Sequence, residues 1–152
     1  MSNAEQAGVE PIAPMMRVLW QEVRDRIHVA FAEGGYGDVR AEHLAVLQYP
    51  GPDGQRPSAL AARAGMSRQA INHLLSHLEQ AGYLERYTDP ANHNARLIRL
   101  TRRGQQLMSH IEAVAAAAEQ EWARDIGGRR LEELRATLAD LRAARHGRAL
   151  RQ

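Results

Sequence analysis

Apolar residues recur at three- and four-residue spacing over several stretches of the chain. Met16, Leu19, Trp20, Val23, Ile27, Ala30 and Phe31 form the first. They predict an amphipathic helix from Pro14 to the Gly34-Gly35 pair. A second helix is expected from about Arg40 to Gln48, where Leu44, Val46 and Leu47 are apolar. Pro50-Gly-Pro-Asp-Gly54 stops it and predicts a loop. Ser58 is expected to cap a short helix carrying Leu60, Ala61 and Ala64, with Gly65 as its positive-φ stop. Ser67 then caps a longer helix whose apolar stripe is Ile71, Leu74, Leu75 and Leu78. Two short strands follow, Tyr83 to Thr88 and Ala95 to Leu100. Asp89-Pro90 opens the turn between them, and Asn92-His-Asn94 is the expected tip.

A short helix, a Gly turn, an amphipathic second helix and a hairpin together predict a winged helix-turn-helix. Thr101 caps a long helix with Leu107, Ile111, Val114, Ala118 and Trp122 along one side, and Gly127-Gly128 ends it. Leu131, Leu134, Leu138 and Leu141 give the last helix a seam of three, four and three. That seam lasts under two heptads, so it predicts a bundle rather than an extended coiled coil. The first helix and the last two carry more apolar face than one small winged domain covers, which points to packing against a second copy. The competing account is packing within one chain. The fold class expected is mainly α with a small β-hairpin wing.

Charge sharpens this picture. The 152 residues carry a net charge of +2, which by itself says little about nucleic acid. Residues 56–103, however, hold eight Arg against Glu79, Glu85 and Asp89, whereas residues 1–55 hold four Arg against eight acids. The positive excess sits in the suspected reading unit, as steering toward a polyanion requires. The exposed half of the second reading helix offers Arg68, Gln69, Asn72, His73, Ser76, His77 and Gln80, with no acid before Glu79. An ordinary solvated face mixes both signs. Arg pairs with guanine O6 and N7, and Asn or Gln with adenine N6 and N7, so this face suits a major groove.

Other chemistries find little support. With no cysteine there is no disulfide framework and no thiolate metal site. His73 and His77 have the i, i+4 spacing of a zinc pair, but no nearby residue offers a third ligand, so no metal is expected. No Gly-rich phosphate loop, His-Glu-x-x-His or Gly-x-Ser-x-Gly occurs, so neither an enzyme nor a cofactor is expected. The N-terminus lacks a basic segment followed by an apolar run, and the longest apolar run, Ala113 to Ala118, is too short for a bilayer. These features predict a soluble cytoplasmic protein without a membrane partner.

The order of these pieces resembles the MarR family of bacterial transcription regulators, over roughly Pro14 to Arg145. The resemblance rests on Ser58-Ala-Leu-Ala-Ala-Arg-Ala-Gly-Met66, on Ser67 to Gly82-Tyr-Leu-Glu-Arg86, and above all on the wing Asp89-Pro-Ala-Asn-His-Asn-Ala-Arg-Leu-Ile-Arg-Leu-Thr-Arg-Arg-Gly104. It implies a homodimer on a pseudo-palindromic double-stranded DNA operator, often a repressor released by a small ligand. By matching position, Arg68, Gln69, Asn72 and His73 would face bases or phosphates, and His77 would lie near the DNA backbone. Ser58 and Ser67 would offer amides and hydroxyls to phosphates. The wing departs from the family pattern. An Asp and, two residues on, an Arg are usual at its tip; here Asn92 and Asn94 stand there. His93, Asn94 and Arg96 are the candidate contacts left: either His93 or Arg96 substitutes for the missing cation, or the wing contributes less.

The family's ligand pocket lies between the dimer helices and the reading domain. Trp20, Arg24 and His28, four residues apart on the first helix, offer an aromatic, a cation and a titratable ring suited to an aromatic or phenolic effector. Alternatively Trp20 is dimer core and the other two are surface. The expected organisation is a disordered tail over 1–13, a helical dimerisation region over 14–37 and 102–147, and a DNA-binding domain over 38–101. The expected function is a sequence-specific, ligand-responsive transcriptional regulator, which the resemblance makes a repressor. The alternative is a winged-helix protein-interaction or architectural module.

Overall fold

The computed structural model describes residues 10–47 and 53–149. The chain divides into two compact units, residues 1–114 and 115–152. Its elements are α1 (Ile12–Glu33), a 3-10 turn (Ala41–His43) leading into α2 (Leu44–Leu47), α3 (Pro57–Ala64), α4 (Arg68–Gln80), β1 (Leu84–Asp89), β2 (Asn92–Leu100), α5 (Arg102–Ile126) and α6 (Gly128–Ala149). This is the mainly α fold with a two-stranded antiparallel wing that the sequence pattern predicts.

Several boundaries differ from expectation, each for a local reason. Helix α1 starts at Ile12 because Pro11, extended at φ −60° and ψ 141°, is its N-cap and Pro14 fits in the first turn. The expected helix at Arg40 opens instead as a 3-10 turn in which His43 Nδ1 accepts the Arg40 N–H at 2.8 Å. Ser58 is not a cap. Pro57 takes the first helical position, where its missing N–H costs nothing, and Arg56 precedes it. The wing turns at Pro90-Ala91, and Asn92 to Asn94 belong to β2. Asp89 closes that turn early by accepting the Ala91 N–H at 2.9 Å. Of the expected tail over 1–13, residues 1–9 lie outside the described residues. So do Gln48 at the end of the second expected helix and residues 50–52 of the expected loop.

The helix-turn-helix itself follows the apolar pattern. Ile71, Leu74, Leu75 and Leu78 of α4 are buried, as are Leu60 and Ala61 of α3. Gly65 takes φ 63° between the two helices, a left-handed conformation that a β-carbon disfavours. Ser67 Oγ accepts the Ala70 N–H at 3.1 Å and caps α4.

The wing is fastened at its base. Strand pairing runs from Leu84 opposite Leu100 to Thr88 opposite Arg96, then jumps to Asp89 opposite Asn92, so His93, Asn94 and Ala95 bulge. Residues 53–55 bind the free edge of β2: Gly54 N donates to Ile98 O, Ile98 N to Gln55 O, and Leu100 N to Asp53 Oδ1. Thr101 Oγ1 donates to Gly82 O at 2.6 Å and accepts the Gly104 N–H at 3.1 Å, so it both closes the hairpin and caps α5.

Tyr83, fully buried at the α4–β1 junction, joins these parts. Its N–H donates to Leu78 O and its carbonyl accepts from Thr101 N. Its hydroxyl donates to Asp38 at 2.5 Å and accepts from Arg103 at 2.9 Å, and the Arg103 guanidinium lies 4.5 Å from the ring centre. Burial first, and the bond to Asp38 second, push the phenol up to about 12. It stays protonated and donating at neutral pH. Beside it, His77 Nε2 donates to the Asp38 carbonyl at 3.0 Å while its ring stacks on buried His43 at 4.5 Å.

Within residues 115–152, Ala118 is buried and Leu131 nearly so, whereas Leu134, Leu138 and Leu141 are 41%, 38% and 49% exposed. Arg135 pairs with Glu119 at 2.8 Å and Glu132 at 3.2 Å. On α1, Val23, Ile27 and Phe31 are buried, but Met16, Leu19 and Trp20 of the same expected stripe are exposed.

Two outcomes are expected from this packing. A β-carbon on Gly104 would collide with the Tyr83 carbonyl oxygen, which is backbone and cannot step aside. Gly104→Ala should therefore lower stability by about 1–3 kcal/mol, read as an earlier urea midpoint. His43 has its pKa lowered, by burial first and by the neighbouring His77 second. The unfolded chain then binds the extra proton, so stability should fall as pH drops below the ordinary histidine value. Melting between pH 7.5 and 5.5 should show that decline, and His43→Gln should flatten it.

Candidate nucleic-acid interface

The first half of α4 presents its polar side without opposing charge. Arg68, Gln69 and His73 are exposed, and among the described residues none of their side chains has a hydrogen-bond partner. They are free to contact something outside the protein. The physical cause is local: the apolar stripe fixes the helix by its other side, and α4 has no acid in its first turn.

Arg68 and Asn72 also edge a notch completed by α3 and the wing. Arg56 and Ser58 at the start of α3, and Arg96 on β2, line it with them. Three guanidinium groups around one concavity suit a polyanion, and Arg forks match phosphate oxygens. Ser58 is exposed at the second position of α3. Thus Ser58, Arg68, Asn72 and Arg96, chosen from sequence, come together. Ser67 lies at the start of α4 with its oxygen taken up by the cap.

Arg56 is a member that the sequence pattern did not reveal. It precedes α3 and reaches 33 residues along the chain to Asp89 at 2.8 Å. Asp89 is 7% exposed, and its carboxyl is held below the ordinary range by the Arg56 bond first and the Ala91 N–H second. The ion pair missing at Asn92 and Asn94 has a different counterpart at the turn end of the wing, between Arg56 and Asp89. Only one sequence signal marked it: Asp89 is the sole acid between Arg86 and the end of β2. Arg96 donates across the hairpin to Thr88 Oγ1 at 3.1 Å and remains exposed. His93 and Asn94 are exposed in the bulge, where Asn94 N donates to Asn92 Oδ1 at 3.2 Å.

His77 stands apart from this surface. Its ring is half-buried and spent on His43 and the Asp38 carbonyl. Its polarity in the sequence gave no sign of that partner, which lies 39 residues away. Trp20, Arg24 and His28 lie along α1. Trp20 and His28 are exposed, and Arg24 is half-buried with Asp25 4.0 Å away. Among the described residues no group of three His, Cys, Asp or Glu is placed to hold a metal ion. No described helix is long and apolar enough to cross a membrane.

Comparison with known proteins agrees with this architecture. Residues 44–93 match the MarR family model. No protein of curated function matches the sequence. A MarR-family transcriptional regulator from Rhodococcus sp. RHA1 is similar in structure, with 24% identity and a TM-score of 0.67 over 90% of this chain and 95% of that one. CouR from Rhodococcus jostii RHA1, solved bound to p-coumaroyl-CoA, gives 24% identity and 0.64 over 87% and 92%. A mutant of MepR from S. aureus, bound to an oligodeoxyribonucleotide, gives 19% and 0.56 over 90% and 99%. The resemblance to the MarR family thus holds on both counts: residues 44–93 match its model, and the fold is that of MarR-family transcriptional regulators.

Proposed function

We propose that the chain is a sequence-specific DNA-binding transcriptional regulator that acts as a homodimer on a pseudo-palindromic operator. The observation that carries this reading is the acid-free polar face of the first half of α4 beside a notch edged by Arg56, Arg68 and Arg96. Arg68, Gln69, Asn72 and His73 serve as base and phosphate contacts. Ser58, Ser67 and Arg96 position the backbone, and His93 and Asn94 on the wing meet the flanking groove. His77 contributes by holding α4 against Asp38 rather than by contact.

Exposed Met16, Leu19 and Trp20 on α1, and Leu134, Leu138 and Leu141 on α6, support a second copy as partner. In this reading residues 14–37 and 102–147 form the dimerisation region and 38–101 the reading domain. Two reading helices set about one duplex turn (~34 Å) apart then enter successive major grooves. Repression released by an effector is the mode we infer, with a small aromatic or phenolic compound as effector and Trp20, Arg24 and His28 as its contacts. The related CouR carries p-coumaroyl-CoA, which contains such a group. A ligand that favours one spacing of the reading helices shifts the population able to bind. No catalytic step is assigned to the chain, and its place of action is the cytoplasm, with the DNA.

Selection from a random duplex pool tests this reading. An inverted repeat is expected; equal retention of selected and random duplexes at moderate salt would overturn it. Arg96→Ala should weaken binding and flatten the slope of log affinity against log salt by about one unit, as expected when one phosphate is no longer neutralised. Leu138→Glu should convert a dimer into a monomer by sedimentation, and binding to the repeat should fall with it.

A further inference from the structure

Arg86 lies on β1, half-buried, with its guanidinium along the flank of α4. Nη1 donates to Asn72 Oδ1 at 3.3 Å, and Nη2 to Ser76 Oγ at 3.4 Å. Nε is buried and lies 3.3 Å from Glu79 Oε2, an ion pair without hydrogen-bond alignment. Positions 72, 76 and 79 are one stripe of a helix, so a single side chain of the wing grips two turns of α4.

The consequence concerns the Asn72 amide. A guanidinium carries donors and no acceptor. The Asn72 atom that meets it is therefore the carbonyl oxygen, because the flipped amide would set N–H against N–H. With Oδ1 drawn back to Arg86, the NH2 end is what Asn72 offers to the notch. An Asn that presents both ends matches adenine, whose major-groove edge pairs a donor at N6 with an acceptor at N7. An Asn that presents only NH2 matches an edge with acceptors alone. Guanine offers two such acceptors, O6 and N7, whereas thymine offers O4 alone beside its methyl group.

We propose that Arg86 is a positioning residue that makes Asn72 a donor-only reader, so that the base opposite Asn72 is selected as guanine rather than adenine. This deepens the DNA-binding reading above and rests on it. Arg86 keeps its distance from the DNA and acts through the orientation of one amide.

Sequence selection from a random duplex pool, run in parallel on the wild type and variants of the full chain, tests it. The wild type should return a motif with guanine at one position per half-site that Asn72→Ala renders indifferent. Arg86→Met keeps the apolar stem but removes the donors; the freed amide should turn, and preference at that position should move from guanine toward adenine by about tenfold. Asn72→Asp, which keeps the Arg86 partner and has only acceptors, should instead move it toward cytosine, whose edge offers the N4 donor. If the Arg86→Met protein, folded by circular dichroism, or the Asn72→Asp protein selects the wild-type base there, the proposal is overturned. A uniform loss of affinity with no change in motif overturns it too, since that is the effect of a merely structural role. Failure of the wild type to select any motif would instead remove the DNA-binding reading itself.

Discussion

Tyr83 sits where the reading helix gives way to the wing, and its environment constrains both. It has no exposed surface, and its hydroxyl meets Asp38 from the loop after α1 and Arg103 from α5. A buried hydroxyl without partners would cost its desolvation; here each hydrogen-bonding direction is used. The Tyr83 carbonyl passes so close to α5 that only glycine fits at position 104. Three separate pieces of chain, at residues 38, 83 and 101–104, are thereby held in one relation. The orientation of α4 follows from that relation.

Around this anchor the polar side chains divide into two kinds. Those turned inward are consumed: His77 on His43 and Asp38, Arg86 on α4, Asp89 on Arg56 and the turn. Each holds an element in place. Those turned outward, Arg68, Gln69 and His73, are left without partners among the described residues, and nothing acidic on the first turn of α4 neutralises them. A surface that is rigid behind and unspent in front suits recognition of a polyanion. The exposed apolar stripes of α1 and α6 show a different kind of incompleteness, since water is a poor neighbour for Leu134, Leu138 and Leu141.

Much of this was legible in the residues. Period 3.6 gave the helices, Ser67 and Thr101 announced their caps, and Gly65 and Gly127 marked their ends. The wing was legible as a hairpin but not in its turn. Asn92-His-Asn94 has turn composition, yet Asp89 captures the Ala91 N–H first and closes the chain earlier. Ser58 has the composition of a cap and loses that role to the geometry of Pro57. Both misreadings come from two residues competing locally for one role, where composition does not rank them.

The sequence by itself determined which face of α3 and α4 is buried, because apolar periodicity is a local property and burial follows it there. It also determined where positive charge concentrates. Which polar side chains remain available was decided only by the tertiary structure. Arg56 and Asp89 meet across 33 residues, His77 and Asp38 across 39, and Tyr83 and Asp38 across 45. A hydrogen bond is short and directional, so it exists only where folding brings two distant groups within about 3 Å, and no pattern along the chain encodes that meeting.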